Sequence, residues 1–265
     1  MGDHLISAYL KTEFHVNGFD KPILVGENSI NADKLLVEKK LTEWAYVTAY
    51  NPLSYALSEN ENEQRNSLLK RILKDYLHIE GEGQDKNQKW PPEKSFFILG
   101  ITLYDAKILA IKFGQRAIVY GKIFQRAQLI ETLAFYGNPK IITYYKTAFL
   151  YSCKVPTTEV LKCYDWATEQ REKGNCVIIG FHSQIEKNVL RYLLKGMQPI
   201  ILALARGLKE KLEPEFEKPL EQGRLLIITP FDKSVKRVSS QNLQTRNQLI
   251  TSLTDQITIG YTSPW

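Results

Sequence analysis

The feature that most restricts the fold of this chain is a series of short apolar blocks in its second half, each closed by a small residue or a proline. They read NCVIIG (175–180), QPIILALA (198–205) and GRLLIITP (223–230), with KIITYYKTAFLYS (140–152) before them and QITIGYT (256–262) after. The stretches between them have helical spacing: PTTEVLKCYDWATEQREKG (156–174), SQIEKNVLRYLLKG (183–196) and SSQNLQTRNQLITSLTD (239–255). Pro156 near the start of the first and Gly174 at its end follow the usual asymmetry of helix boundaries, and Gly196 closes the second. Strand and helix alternating through short links predicts a parallel sheet with helices on both faces. Strands buried on both faces must be apolar throughout, as these are.

The first half has a different rhythm and reads as a small α+β domain. The stretch 43–50 is rich in strand formers and stops at Asn51-Pro52, a turn signal. In LSENENEQRNSLLKRILKDYL, Ser58 is placed to cap a helix and acidic residues fill its first turn. Leu68, Leu69, Ile72 and Leu73 form its apolar stripe. IEGEGQDKNQKWPPEK (79–94) is polar and interrupted by Gly and Pro, and is expected to be loop-rich. KSFFILGIT reads as a buried strand, TLYDAKILAIKFG as a helix ending at Gly114, and RAIVYG as a strand. A connecting helix and turn are expected over IFQRAQLIETLAFYGNPK (123–140). The domains are therefore placed at 1–122 and 141–265.

With 43% hydrophobic residues and a mean hydropathy of -0.28, the 265-residue chain has material for a core and suits a soluble protein. No apolar run approaches the ~18 residues of a membrane span. The start, MGDHLISAYLKTEFHV, lacks the basic region of a secretion signal, so a cytoplasmic location and no membrane partner are expected. Cys153, Cys163 and Cys176 are odd in number and unsuitably spaced for a disulfide framework or a zinc site; reduced thiols and no metal are expected. A formal charge of +6 permits a polyanionic partner without requiring one.

In an open parallel sheet, ligands bind beyond the carboxyl ends of the strands. The residues following each strand are then the candidates: Ser152, Lys154 and Thr157 after the first, Gly180, His182 and Ser183 after the second, and Ser263 after the last. Ser183 with Glu186 three residues on forms a capping box, a local role that competes with any ligand role. Arg246 and Asn247 stand early in the last helix, preceded by Lys233, Lys236 and Arg237; the alternatives are an anion clamp or a solvated basic surface. No Gly-x-Ser-x-Gly, Walker or Gly-x-Gly-x-x-Gly sequence is present, so no catalytic group is assigned and no cofactor is expected.

Residues from about 141 to 264 resemble the Rossmann-like domain of the DNA-processing protein A (DprA/Smf) group, within the superfamily that holds the LONELY GUY phosphoribohydrolases. The resemblance rests on IIGFHSQIEKNVLRYLLKGMQPIILALARGL, GRLLIITPF and TRNQLITSLTDQITIGYTSP. Gly180 falls at the glycine closing the second strand, Arg246 and Asn247 at the group's Arg-Asn pair, and Ser263 near its last loop. The first loop departs, with Ser152-Cys153-Lys154 for small-small-Arg and Thr157 for a glycine. The Gly-Gly-x-Gly-Thr-x-x-Glu signature of the phosphoribohydrolases is absent. The resemblance implies a non-catalytic protein binding a nucleotide or single-stranded DNA, and a homodimer by analogy. Two rivals are an N-glycosidic-bond hydrolase, for which Glu159 and Glu186 are the nearby carboxylates, and a nucleotide-signal sensor in phage defence. Residues 7–122 resemble a bacterial domain family of unknown function through TAYNPLS, ENEQRNSLL, the GEG segment, WPPEKSFFILGI and KFGQRAIVYG. Its motif positions are Asn51, Asn62, Arg65, Asn66, Trp90, Glu93, Ser95 and Gln115, for which turn chemistry and buried hydrogen bonding are expected.

Overall fold

The computed structural model describes residues 3–87, 90–151 and 156–259 and divides into two compact units, Met1–Thr132 and Leu133–Trp265. Each unit is built on its own six-stranded sheet.

In the first unit, helix α1 (Asp3–Leu10) leads into strand β1 (Thr12–Val16), then α2 (Ile30–Lys39), β2 (Glu43–Thr48) and α3 (Glu59–Ile72). Strands β3 (His78–Asp85) and β4 (Glu93–Leu99), helix α4 (Leu103–Lys112), and strands β5 (Ala117–Lys122) and β6 (Gln128–Glu131) complete it. The strands lie in the order β1-β3-β4-β2-β5-β6, and every neighbouring pair is antiparallel. Alternation along β2 and β4 gives the sheet two apolar faces. Ala45, Val47, Phe96 and Ile98 pack with residues of α3 and α4. Trp44, Tyr46, Phe97 and Leu99 pack with Ala32 and Leu36 of α2 and with Phe14 and Val16 of β1. Helix α3 begins at the cap expected at Ser58, which Glu61 completes into a capping box.

Two expectations fail here. The Gly-rich 78–85 stretch is strand β3, and the 123–140 stretch holds no α-helix, only the start of a short 3-10 turn at Pro139–Thr143. That stretch supplies β6 to the first sheet and, over Ala134–Gly137, strand β7 to the second. Both errors have one cause. Gly81 and Gly83 weaken local strand propensity, but cross-strand pairing supplies what propensity lacks. Gly81 is also the residue that lets Tyr46 pass: a Cβ there would overlap the His15 carbonyl, to which Tyr46 Oη donates at 2.8 Å.

The second unit continues with strand β8 (Lys146–Leu150), α5 (Thr157–Lys173), β9 (Cys176–Ile179), α6 (Gln184–Leu194), β10 (Ile200–Ala203), the short α7 (Glu217–Glu221), β11 (Leu225–Thr229), α8 (Ser240–Leu253) and β12 (Gln256–Ile259). The order is β12-β8-β9-β10-β11-β7; the first five are parallel, and β7 adds an antiparallel edge. The α/β class is therefore as the apolar blocks require. On one face Phe149, Val177, Ile179, Ile200, Leu202, Leu225 and Ile227 meet Cys163 and Ala167 of α5 and Val189, Leu190 and Leu193 of α6. On the other, Ala148, Ile178, Ile201 and Ile228 are equally buried, and α8 crosses β8 and β10.

Candidate functional site

The strand order sets β12, β8 and β9 side by side and parallel, so the carboxyl ends of these three strands share one end of the sheet. Ser152, Lys154 and Ser263 of the sequence-derived set lie outside the described residues. Thr157 is the first residue of α5, exposed, in a helix whose N-terminus has no side-chain cap.

Gly180 follows β9 directly and sits under a buried ion pair. Arg246, reaching from α8, and Glu186, on α6, each have side chains only 4% exposed, and Arg246 Nη1 lies 2.9 Å from Glu186 Oε1. A Cβ on Gly180 would overlap both groups, so glycine here makes room for charge rather than for a turn. The other carboxylate oxygen, Glu186 Oε2, accepts from the backbone N–H groups of His182 (2.8 Å) and Ser183 (2.9 Å). Ser183 Oγ accepts in return from the Glu186 N–H at 3.2 Å, which completes the capping box. One carboxylate thus caps α6 and neutralises an arginine from the opposite face of the sheet.

The pair is close but not fully bonded. Nη1 is not aligned for a hydrogen bond to Glu186 despite the short distance, and Nε and Nη1 of Arg246 are buried without a hydrogen-bond partner among the described residues. Burial removes Arg246 from the surface role of a clamp that reaches into solvent. Asn247 and the side chain of His182 are exposed.

The accessible charge is elsewhere on the same end of the sheet. The loop after β11 carries Lys233, Lys236 and Arg237, all exposed, and none forms an ion pair among the described residues. The loop has a fixed shape. Asp232 Oδ1 accepts from the Ser234 N–H at 2.8 Å, and the Gly207 N–H, in the loop after β10, donates to Val235 at 2.9 Å. The Asp232 carboxyl is held below its ordinary range by hydrogen bonds from Ser234, the backbone N–H first. Charge is unevenly divided along the chain. Residues 1–132 contain 17 Lys and Arg against 17 Asp and Glu, whereas 133–265 contain 18 against 12, the whole of the +6. Single-residue spacing does not reveal that partition; it follows from knowing where the units divide.

Among the described residues no group of three or more His, Cys, Asp or Glu is placed to hold a metal ion, and no helix is long and apolar enough to cross a membrane.

No curated protein matches the chain. Among solved structures it is similar to DNA processing protein A (DprA) from Streptococcus pneumoniae, at 13% identity and a TM-score of 0.41, over 48% of this chain and 45% of that one. It is similar also to DNA processing protein A from Helicobacter pylori, a protein described as having a unique single-stranded DNA binding mode. That match has 18% identity and a TM-score of 0.40, over 48% of this chain and 59% of that one. The chain thus spans well under two thirds of either structure. Residues 47–118, within the first unit, match the family described as "Protein of unknown function (DUF3293)".

Proposed function

We propose that the second unit is a non-catalytic binding module for nucleic acid, single-stranded DNA in particular, with phosphate contacts made from the end of the sheet where the strands finish. The observation that carries this is electrostatic. The entire +6 excess lies in residues 133–265, and three of its cations, Lys233, Lys236 and Arg237, are exposed on a braced loop at that end. Polyanions are drawn to such a surface by counterion release, a term that needs no base contact and gives no sequence preference. The described part of the site presents no activated nucleophile. Glu186, one of the two carboxylates considered for hydrolysis, is 4% exposed and committed to Arg246 and the α6 cap. Thr157, Gly180, His182, Ser183 and Asn247, with Ser152, Lys154 and Ser263, keep the role of the neighbouring nucleotide or phosphate rim under this proposal, Arg246 supporting that rim from beneath through its pair with Glu186, and a homodimer is its expected assembly.

The test is fluorescence anisotropy with a labelled oligothymidylate across a salt series, comparing wild type with the Lys233→Ala, Lys236→Ala, Arg237→Ala triple variant. Three lost phosphate contacts on single-stranded DNA reduce the slope of log K against log salt by about 2. An unchanged slope, or no binding by the wild type at low salt, would refute the proposal.

A further inference from the structure

The first unit contains a cavity of about 400 Å³ on the sheet face that also packs α2. Its walls are aromatic, with Tyr9, Phe14, Tyr46 and Trp90, and one carboxyl, Glu93, opens into it. The size and the mixture of apolar wall with few polar groups are those of a small-molecule site.

What distinguishes it from a packing defect is how the carboxyl is held. The segment Asn51–Ser54 has positive φ at Asn51 (45°), Leu53 (51°) and Ser54 (62°), three non-glycine residues in the left-handed region within four positions. Such strain persists only where surrounding bonds over-determine it. Those bonds are present. Asn51 N–H donates to Asn62 Oδ1 (2.9 Å), Leu53 N–H to Gly114 (2.7 Å), and Gln115 Nε2 to the Tyr50 carbonyl (2.7 Å). Arg65 ties the flanks, donating through Nε to Ala49 (2.8 Å) and through Nη2 to Phe113 (2.6 Å). Within this frame Asn51 Oδ1 accepts from Asn62 Nδ2 (3.1 Å) and the Leu57 N–H (3.0 Å), which fixes the amide orientation. Its Nδ2 is then left to donate to Glu93 Oε1 at 2.6 Å. Glu93 lines the cavity. Most of the polar motif positions of the first half thus serve one purpose, the placement of a single carboxyl at an aromatic-lined cavity.

We infer that this cavity binds a neutral planar heterocycle of nucleobase or nucleoside size, stacked on the aromatic wall and hydrogen-bonded by Glu93 through an edge that carries an N–H donor. A flat ring with polar edges satisfies both features at once: its faces are covered by aromatic side chains and its edge meets the carboxyl. Desolvation raises the carboxyl above its ordinary range, the Asn51 hydrogen bond opposing the shift. A carboxylate is acceptor-only, so the oxygen not bonded to Asn51 can accept from the N–H of such an edge. The inference concerns the first unit alone and is independent of DNA binding by the second.

The experiment titrates the full chain with adenine, adenosine, uracil, uridine and, as zwitterionic controls, L-phenylalanine and L-tyrosine. Binding is followed by tryptophan fluorescence and confirmed by calorimetry. The expected result is saturable binding of at least one heterocycle. Stacking on Trp90 makes the fluorescence signal disappear in Trp90→Phe, which keeps an aromatic wall. Loss of the carboxyl in Glu93→Ala weakens binding roughly tenfold or more. Unchanged far-ultraviolet circular dichroism and melting show that each variant is folded; should Glu93→Ala misfold, Glu93→Gln with Trp90→Phe carries the test, because Gln retains shape and alters the donor pattern. Three results would each overturn the inference: no saturation by any heterocycle, equal affinity in folded Glu93 variants, or preference for the amino acids.

Discussion

Replacing Gly180 by alanine tests the reading of the buried pair most directly. The added Cβ would occupy the space of the Arg246 guanidinium and of Glu186 Oε1. An arginine tip is ordinarily cheap to displace. Here it is 4% exposed, 2.9 Å from its counter-charge and closed in by α8 and the end of β9, so it has nowhere to go without separating from Glu186. Opening a buried pair costs about 3–5 kcal/mol, against about 1–3 kcal/mol for a methyl forced into an ordinary packed interior. The larger figure is expected to apply. Glu186 would still be partly compensated by the His182 and Ser183 N–H groups, which places the cost near the lower end, about 3 kcal/mol. Because the chain has two units, global melting mixes their signals. Hydrogen–deuterium exchange resolved by peptide separates them. Peptides covering β9 and α6 should exchange roughly a hundredfold faster in Gly180→Ala, while those of β2 and β4 are unchanged. In an Arg246→Met background the same substitution should add only about 1 kcal/mol, a coupling of about 2 kcal/mol. If Gly180→Ala alone leaves β9 exchange within a factor of two of wild type, the guanidinium is not confined as described and the argument fails.

Three further outcomes follow from the geometry. Gly81→Ala should destabilise the first unit by about 3 kcal/mol, because its Cβ meets backbone at His15 and cuts Tyr46 off from that carbonyl; peptide-resolved exchange of β1 and β3 reads it. Cys176, whose thiol burial pushes up to about 12, should resist alkylation at pH 8 in the folded chain and react once urea unfolds it, as mass spectrometry of its peptide would show. Glu93 has a folded pKa above its unfolded one, so the native state holds the extra proton and stability falls as pH rises from the ordinary carboxylate range through the raised value. Glu93→Gln should therefore be more stable than wild type at pH 7 and converge with it near pH 4; a variant less stable at both pH values would contradict that sign.

The second sheet is almost wholly legible as sequence. Cys176–Ile179, Ile200–Ala203 and Leu225–Thr229 are apolar at every position, and only burial on two faces explains such runs. Helix ends were equally plain at Ser58, Ser183 and Gly174, since caps are set by residues three or four apart. The failures share a different origin. Strands β3, β6 and β7 carry weak or mixed local signals and become strands because a neighbour's backbone is already in register. The candidate rim was half legible: the glycine, the cap and the arginine were identifiable, but their relation was not. Glu186 reads as a capping residue and Arg246 as a clamp because they are sixty positions apart; only the crossing of α8 over the sheet makes them one buried pair. The cavity of the first unit was hidden for the same reason, its carboxyl and its strained Asn51 loop lying on separate elements.

What the sequence determined alone is whatever depends on neighbours within one turn or one strand: the parallel α/β half, the helix caps, the positions of most breaks. Tertiary structure decided which charges are buried and which meet solvent. Burial is a property of elements brought together across the chain, and it turned Arg246 inward, left Lys233, Lys236 and Arg237 outside, and gathered scattered polar residues of the first half around one carboxyl.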